Sequence, residues 1–259
     1  MHINKLFNLD NHSAVIIGGG GKVGFPMSEA LAEAGAKVYI ASRSNKNYQP
    51  AVDKLSKSGL NAMGIQLDQS NEESVREALQ IIKSDFKTPD ILINASSYRP
   101  MTKFYEDSYI NWDNSMVINS RGLFISCRLF GNEMAKEKKG SIINISSIYG
   151  VVAPDFRIYE GVDFQTEPDY PFIKGGIISY SRYLASFYSK ANVRVNCILP
   201  GGVFNNQPEK FIKNYSKKVL IKGLANTNDL KGAALFFASD ASRYVTGSTL
   251  TIDGGLTSI

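Results

Sequence analysis

A14-V-I-I-G-G-G-G-K-V-G24 decides the fold. Four apolar residues suited to a buried strand run into four glycines, and a helical pattern, M27-S-E-A-L-A-E-A34, follows closely. Glycines in that place let the backbone turn tightly and approach a diphosphate, which then rests on the positive end of the next helix. Glycines also make ordinary turns, so the stretch is read with its surroundings. At the end of the first strand of a parallel sheet it predicts a dinucleotide site.

Outward from this stretch, short β-branched runs alternate with helical patterns along the whole chain. Ser13 to Ile17, Lys37 to Ala41, Ala62 to Leu67, Asp90 to Asn94, Ser141 to Ile145, Val193 to Leu199 and Ser248 to Ile252 read as strands. Most are apolar throughout, as strands covered on both faces must be. Met27 to Ala34, Ser74 to Ile82 and Leu230 to Ala238 carry apolar residues at helical spacing. Alternation without a composition break predicts an α/β fold: a doubly wound parallel sheet of about seven strands with helices on both faces, the Rossmann arrangement. We expect one domain over residues 1–259. One segment breaks the rhythm, 151–169, which is long, aromatic and without a clear period.

Composition narrows the function classes. At 259 residues and 43% apolar, the chain is long enough to bury a large core, and 20% charge with 11% aromatics argues against disorder. No apolar run is long enough to span a membrane, and the first ten residues hold none of signal-peptide length. Cys127 and Cys197 lie among apolar neighbours without metal-like spacing, so they read as reduced core thiols of a cytoplasmic protein, and no metal site is expected. The net charge of +5 comes from scattered lysines, with Lys136 to Lys139 and Lys217 with Lys218 read as solvated helix ends. A nucleic-acid surface calls for a basic stripe interleaved with aromatics, and none is present.

The second strand ends A41-S-R43. An acid there would accept hydrogen bonds from a ribose 2′-hydroxyl and repel a 2′-phosphate. Ser42 and Arg43 stand in its place, and a guanidinium fork suits phosphate, which predicts NADP(H) over NAD(H). Arg43 also reads as an exposed cation at a helix start.

Tyr170 is followed four residues later by Lys174 in D169-Y-P-F-I-K-G-G-I-I-S-Y-S-R-Y-L-A185. With 13 tyrosines and 20 lysines in 259 residues, one such pair is expected by chance, so the pair alone decides nothing. With the glycine loop and the strand order, however, the chain resembles the short-chain dehydrogenase/reductase family from the first strand to T246-G-S-T-L-T-I-D-G-G255. Asp68 matches the family's adenine-contacting aspartate. Asn94, Ala95 and Ser96 match the end of the fourth strand that lines the cofactor, and Asn119 matches the helix asparagine. Ser147, in S141-I-I-N-I-S-S-I-Y-G150, matches the catalytic serine, and Pro200, Gly201, Val203 and Asn205 match the loop beside the nicotinamide. Gly18, Gly20, Gly21, Val23 and Gly24 match the cofactor loop. The chain also departs from the pattern. Lys22 replaces the second loop glycine, either to reach a cofactor phosphate or to point into solvent. A bulkier Asn94-Ala95-Ser96-Ser97 follows the fourth strand, and Asn205 stands where a threonine is common. Ser147 to Tyr170 spans 23 positions, about ten more than usual.

The resemblance implies a tetrad of Asn119, Ser147, Tyr170 and Lys174. One helical turn apart, Tyr170 and Lys174 share a face, and a nearby ammonium brings a phenol of ordinary pKa near 10 toward a useful acid/base range. By resemblance, Lys174 also holds the nicotinamide ribose, Asn119 holds a water linking Lys174 to solvent, and Ser147 stabilises charge on the substrate oxygen. Taken singly, strand-end serines cap turns and helical asparagines bond backbone.

The inserted segment carries Phe156, Arg157, Tyr159, Glu160, Phe164 and Glu167. Beside the catalytic residues it is expected to wall the substrate. Aromatic faces with interspersed charge suit a polyhydroxylated carbonyl compound, and Arg99 and Arg157 are candidates for a carboxylate or phosphate. The alternative is a surface loop packed on its own aromatics, or a subunit contact. Ile148 to Gly161 and Pro200 to Phe211 also resemble the family's members in bacterial surface-glycan and flagellin-sugar synthesis. The expectation is therefore a reductase or dehydrogenase of a sugar or sugar acid. A 3-oxoacyl thioester reductase is the second reading, and a cofactor-binding but inactive regulatory or scaffold protein the third. The resemblance further implies a homodimer or homotetramer, with the region of Asn111 to Lys136 and the helix of Tyr170 together forming one interface and the last strand region another.

Overall fold

The computed structural model describes residues 2–221 and 223–259. Its seven parallel strands are β1 Ser13–Ile17, β2 Lys37–Ser42, β3 Ala62–Gln66, β4 Ile91–Asn94, β5 Gly140–Ile145, β6 Val193–Pro200 and β7 Thr249–Ile252. They lie in the order β3-β2-β1-β4-β5-β6-β7. The helices are α1 Ile3–Phe7, α2 Gly24–Glu33, α3 Asn45–Lys57, α4 Glu72–Asp85, α5 Tyr109–Met116, α6 Gly122–Lys136, α7 Asp169–Phe187, α8 Glu209–Ser216 and α9 Lys231–Ala238. Every predicted strand is present, within a residue at each end.

The two-residue period of the strands builds two apolar layers. Val15 and Ile17 of β1, Tyr39 of β2, Leu92 of β4 and Ile142 of β5 face α4, α6 and α7. Their neighbours Ala14, Ile16, Ile40, Ile93 and Ile143 face α2, α3 and α9. Cys127 and Cys197 are fully buried in the first layer as free thiols. Burial pushes both thiols up, Cys127 to about 12 and Cys197 to about 11.

Local chemistry sets the element ends. Asn71 caps α4 by accepting from the backbone N–H groups of Glu73 and Ser74 at 2.9 and 3.3 Å, and acids fill its first turn. Ser108 caps α5 in the same way. Asp253 ties down the chain after β7. Its carboxylate accepts from Gly255 N–H at 2.9 Å and Thr257 N–H at 2.8 Å, while Gly254 and Gly255 take positive φ. A π-helical turn, Val117–Arg121, joins α5 to α6.

The aperiodic segment is ordered by contacts distant in sequence. A 3-10 turn, Phe156–Tyr159, packs on α8 in a third apolar cluster of Ile158, Phe211, Tyr215 and Val219, with Tyr159 and Phe164 against it. Lys218, read from the sequence as part of a solvated helix end, instead pairs with Asp155 of this segment at 2.9 Å. Among the described residues, no helix is long and apolar enough to cross a membrane.

Candidate active site

The chain leaves β3 at the edge of the sheet on one side of β1 and resumes in β4 on the other. The loops after β1 and β4 therefore diverge, which opens a crevice beyond the carboxyl ends of the strands. Gly18 has φ +82°, and a Cβ there would fall 2.6 Å from Ser96 N. Gly20 lies against the Asn47 carbonyl too closely for any side chain. Ser28 Oγ fixes the loop to α2, with Gly19 O at 3.2 Å and Gly24 O at 3.1 Å as its acceptors. Unlike α4 and α5, α2 has no side-chain cap, and unlike α4 it has no acid in its first turn, so its positive end is available to an anion.

A cavity of about 560 Å³ runs along this loop, within the range of about 300–1,000 Å³ usual for cofactor pockets. Gly18, Gly20, Gly21, Lys22, Val23, Ser42, Arg43, Ala95 and Ser96 all line it. A dinucleotide fits this cradle. Arg43 is exposed and lies 5.6 Å from the Tyr98 ring centroid. Lys46 and Tyr98 also line the cavity; the sequence reading missed both. Lys46 carries a signal in retrospect, one helical turn beyond Ser42. Asp68 is not among the lining residues. Its carboxylate accepts from Ser70 N–H at 2.9 Å and Ser70 Oγ at 2.7 Å, and its neighbours Leu67 and Gln69 face the cavity instead.

Tyr170 and Lys174 occupy the first two turns of α7, and Ser147 ends the strand-to-turn connection after β5. Gly150 explains the glycine three residues after the serine. A Cβ there would meet Lys174 O at 2.7 Å, so only glycine lets the turn seat on α7. Ser146 Oγ donates to the same carbonyl at 2.7 Å. Buried Lys174 donates from Nζ to Ile145 O at 3.0 Å and lies 5.5 Å from the Tyr170 ring centroid. Arg99 covers the ring with its guanidinium 3.9 Å from the centroid. Burial alone pushes the Tyr170 phenol up, but the Lys174 ammonium, the Arg99 guanidinium and the Ser147 hydroxyl together hold it below its ordinary value. Burial lowers the pKa of Lys174, Tyr170 opposes this, and Arg99 adds to it.

Asn119, in the π-helical turn, has its side chain engaged with the backbone. Its amide donates to Tyr98 O at 2.7 Å and Ser115 O at 3.0 Å, and its oxygen accepts from Tyr98 N–H at 2.9 Å. Asn119 thus pins the loop that carries Arg99. Asn94 and Asn119 line a cavity of about 10 Å³ with Lys174, the scale of one water. Asn94 donates to Asn144 Oδ1 at 2.8 Å, and its own Oδ1 is buried without a partner.

The inserted segment reaches Tyr170 through Tyr149. Tyr149 meets the Tyr170 ring edge-on at 6.5 Å, and its hydroxyl lies 3.0 Å from that of Tyr159, which bonds Thr166 at 2.6 Å. Arg157 is not brought to the tyrosine as an anion seat: Asp155 holds it through two 2.8 Å bonds. Phe156 is exposed and stacks obliquely on Tyr159. Glu167 is the charged residue of the segment that the site does draw in. One of its carboxylate oxygens is buried without a partner. Burial, together with the Asp107 and Asp169 carboxylates, pushes its pKa up, and the opposing Phe104 backbone bond and Arg99 guanidinium only partly offset this.

On the far side of the crevice, Gly201 N–H donates to Ile252 O at 2.8 Å and Gly202 N–H to the Tyr215 hydroxyl at 2.6 Å. These bonds fix the loop from Pro200 to Val203 between β7 and α8. Asn205 follows, and its Oδ1 accepts from Lys22 Nζ at 2.8 Å.

Residues 22–257 match a family profile described as enoyl-(acyl carrier protein) reductase. The post-translational flagellin modification protein A of Campylobacter coli is 34% identical over 199 residues, covering 74% of this chain and 77% of that protein. A gluconate 5-dehydrogenase from Burkholderia cenocepacia, solved with NADP and tartrate, superposes with a TM-score of 0.90 at 26% identity over 100% of both chains. A short-chain dehydrogenase from Leptospira borgpetersenii with bound NAD+ superposes at 0.88 with 32% identity, over 99% of this chain and 96% of that one.

Proposed function

The chain belongs to the short-chain dehydrogenase/reductase family, and on that premise we propose that it is an NADP(H)-dependent oxidoreductase interconverting a carbonyl and a secondary alcohol on a sugar or sugar-acid-like substrate. The observation that carries this reading is Tyr170 held between two cations, Lys174 and Arg99, at the edge of the dinucleotide crevice.

A bound nicotinamide supplies or accepts the hydride. The protein handles the proton. In reduction, the Tyr170 hydroxyl gives its proton to the oxygen of the carbonyl; in oxidation, the phenolate takes it back. Ser147 donates a hydrogen bond to the same oxygen as charge develops on it. Lys174 lowers the phenol's pKa and holds the nicotinamide ribose. Asn119 keeps the Tyr98–Arg99 loop against the tyrosine. Asn94, Pro200, Gly201 and Val203 would hold the nicotinamide end of the cofactor, and the Asn205 amide would bond its carboxamide.

Arg43 and Lys46, two cations at the adenosine end beside Ser42, support the preference for a 2′-phosphate. Arg99 favours a sugar acid over an acyl thioester: a guanidinium over the tyrosine suits a carboxylate near the reacting carbon. Two buried, unpaired thiols fit a reducing compartment, so we assign the protein to the cytoplasm. We place it in a homodimer or homotetramer through α6 and α7, where Phe124, Phe172 and Phe187 lie exposed.

Turnover of keto-sugar acids with NADPH and with NADH tests the reading. NADPH is expected to give the higher kcat/KM. Tyr170→Phe is expected to lose on the order of 10²–10⁴-fold in kcat while its affinity for NADPH stays within twofold of wild type. Wild-type turnover surviving in that variant, or absent across the whole substrate set, overturns it.

A further inference from the structure

Lys22 stands where the family's loop carries a glycine, and its side chain crosses the crevice. Nζ donates to Asn205 Oδ1 at 2.8 Å and lies 5.8 Å from the Phe204 ring centroid. The partners are 183 residues apart, on loops leaving the same edge of the sheet after β1 and β6. Gln207 steadies the far side: its Oε1 accepts from Asn205 N–H at 2.6 Å, and its Nε2 donates to Val203 O at 2.9 Å. The lysine is therefore the mobile member.

Its position gives the bond meaning. The large cavity is lined by the glycine loop, Ser42, Arg43 and the loop after β4, and reaches Lys22, whereas Ser147, Tyr170, Lys174 and Asn205 lie outside its lining. The Lys22–Asn205 bond thus starts from a residue of the cavity lining and ends on one outside it. A dinucleotide's diphosphate would rest on the glycine loop at the start of α2, the loop that carries Lys22. There it meets an ammonium held only by a neutral amide. Both bonds have an ionised donor, but only the diphosphate adds the attraction of an opposite charge, so a diphosphate oxygen outcompetes the amide.

We propose that Lys22 is an exchangeable clasp: it ties the glycine loop to Asn205 in the free protein and transfers to the cofactor diphosphate on binding, which releases the Asn205 side chain for the nicotinamide carboxamide. The proposal rests on the dinucleotide reading above. It requires the two partners to act with opposite signs on a ligand that has the diphosphate but no nicotinamide. Lys22→Ala removes the attraction; Asn205→Ala removes the competitor.

Calorimetric titration of wild type, Lys22→Ala, Lys22→Gly and Asn205→Ala with ADP-ribose and with 2′-AMP tests this. 2′-AMP has the adenosine and the 2′-phosphate but no diphosphate. Both Lys22 variants are expected to bind ADP-ribose about tenfold more weakly, a loss of about 1.4 kcal/mol of a charge-assisted bond, with 2′-AMP unchanged within twofold. Asn205→Ala is expected to bind ADP-ribose several-fold more tightly. Unchanged ADP-ribose binding in the Lys22 variants, equal losses for both ligands, or weaker ADP-ribose binding in Asn205→Ala overturns the clasp. If wild type binds neither ligand nor NADPH, the dinucleotide reading fails instead.

Discussion

At the scale of single residues, Tyr170 has two cations rather than one. Lys174 is buried and fixed on the Ile145 carbonyl, whereas Arg99 is exposed on a loop and reaches the ring from the open side. Both favour the phenolate, so removing Arg99 raises the phenol's pKa. Arg99→Leu is expected to move the onset of alcohol oxidation, which needs the phenolate, to higher pH. The fall of carbonyl reduction at high pH, where the phenolic proton is lost, moves upward in the same direction. A pH profile of kcat in each direction reads this, and an unchanged profile removes Arg99 from the acid/base chemistry. Arg99 was nameable from its place after the fourth strand; its stacking on a tyrosine 71 positions later was not. The same holds for Lys22 and Asn205. Residues that meet only after the sheet is assembled leave no local period to read.

At the scale of elements, the sequence told most where the physics is local. The alternating apolar strands and the glycine turn stood out, because each is dictated by neighbours in the chain. The π-helical turn and α8 did not, since packing between distant segments selects them. Gly150 lies between these cases: its spacing after Ser147 was visible, but the reason, contact with the Lys174 carbonyl, belongs to the fold. Gly150→Ala is expected to lower stability by about 1–3 kcal/mol through overpacking and to impair turnover by displacing α7 from Ser147. Gly232, in α9, has nothing within 4 Å of an added Cβ. Gly232→Ala is expected to raise stability by about 0.4–1 kcal/mol. Urea melts of the two variants check the opposite signs.

At the scale of the whole molecule, the two main cores lie on opposite faces of the sheet, and both cysteines sit deep in one of them. Their pKa values of about 12 and 11 keep them as thiols at neutral pH, and the thiolate is the reactive form. A thiol reagent at pH 8 is therefore expected to label Cys127 and Cys197 only when the chain unfolds, with both rates rising together through the urea transition. Rapid labelling of the native protein contradicts their burial.

The third apolar cluster lies apart from both layers. It joins the 3-10 turn Phe156–Tyr159 to α8, and α8 in turn holds Gly202 through the Tyr215 hydroxyl. On the proposed function, the segment that walls the reacting carbonyl and the loop beside the nicotinamide are thereby members of one small lobe. Under that reading such a lobe can be rebuilt for a new substrate without disturbing the sheet beneath it, but a change that tilts it also re-aims the hydride, so choice of substrate and stereochemistry of reduction would be inherited as a single trait.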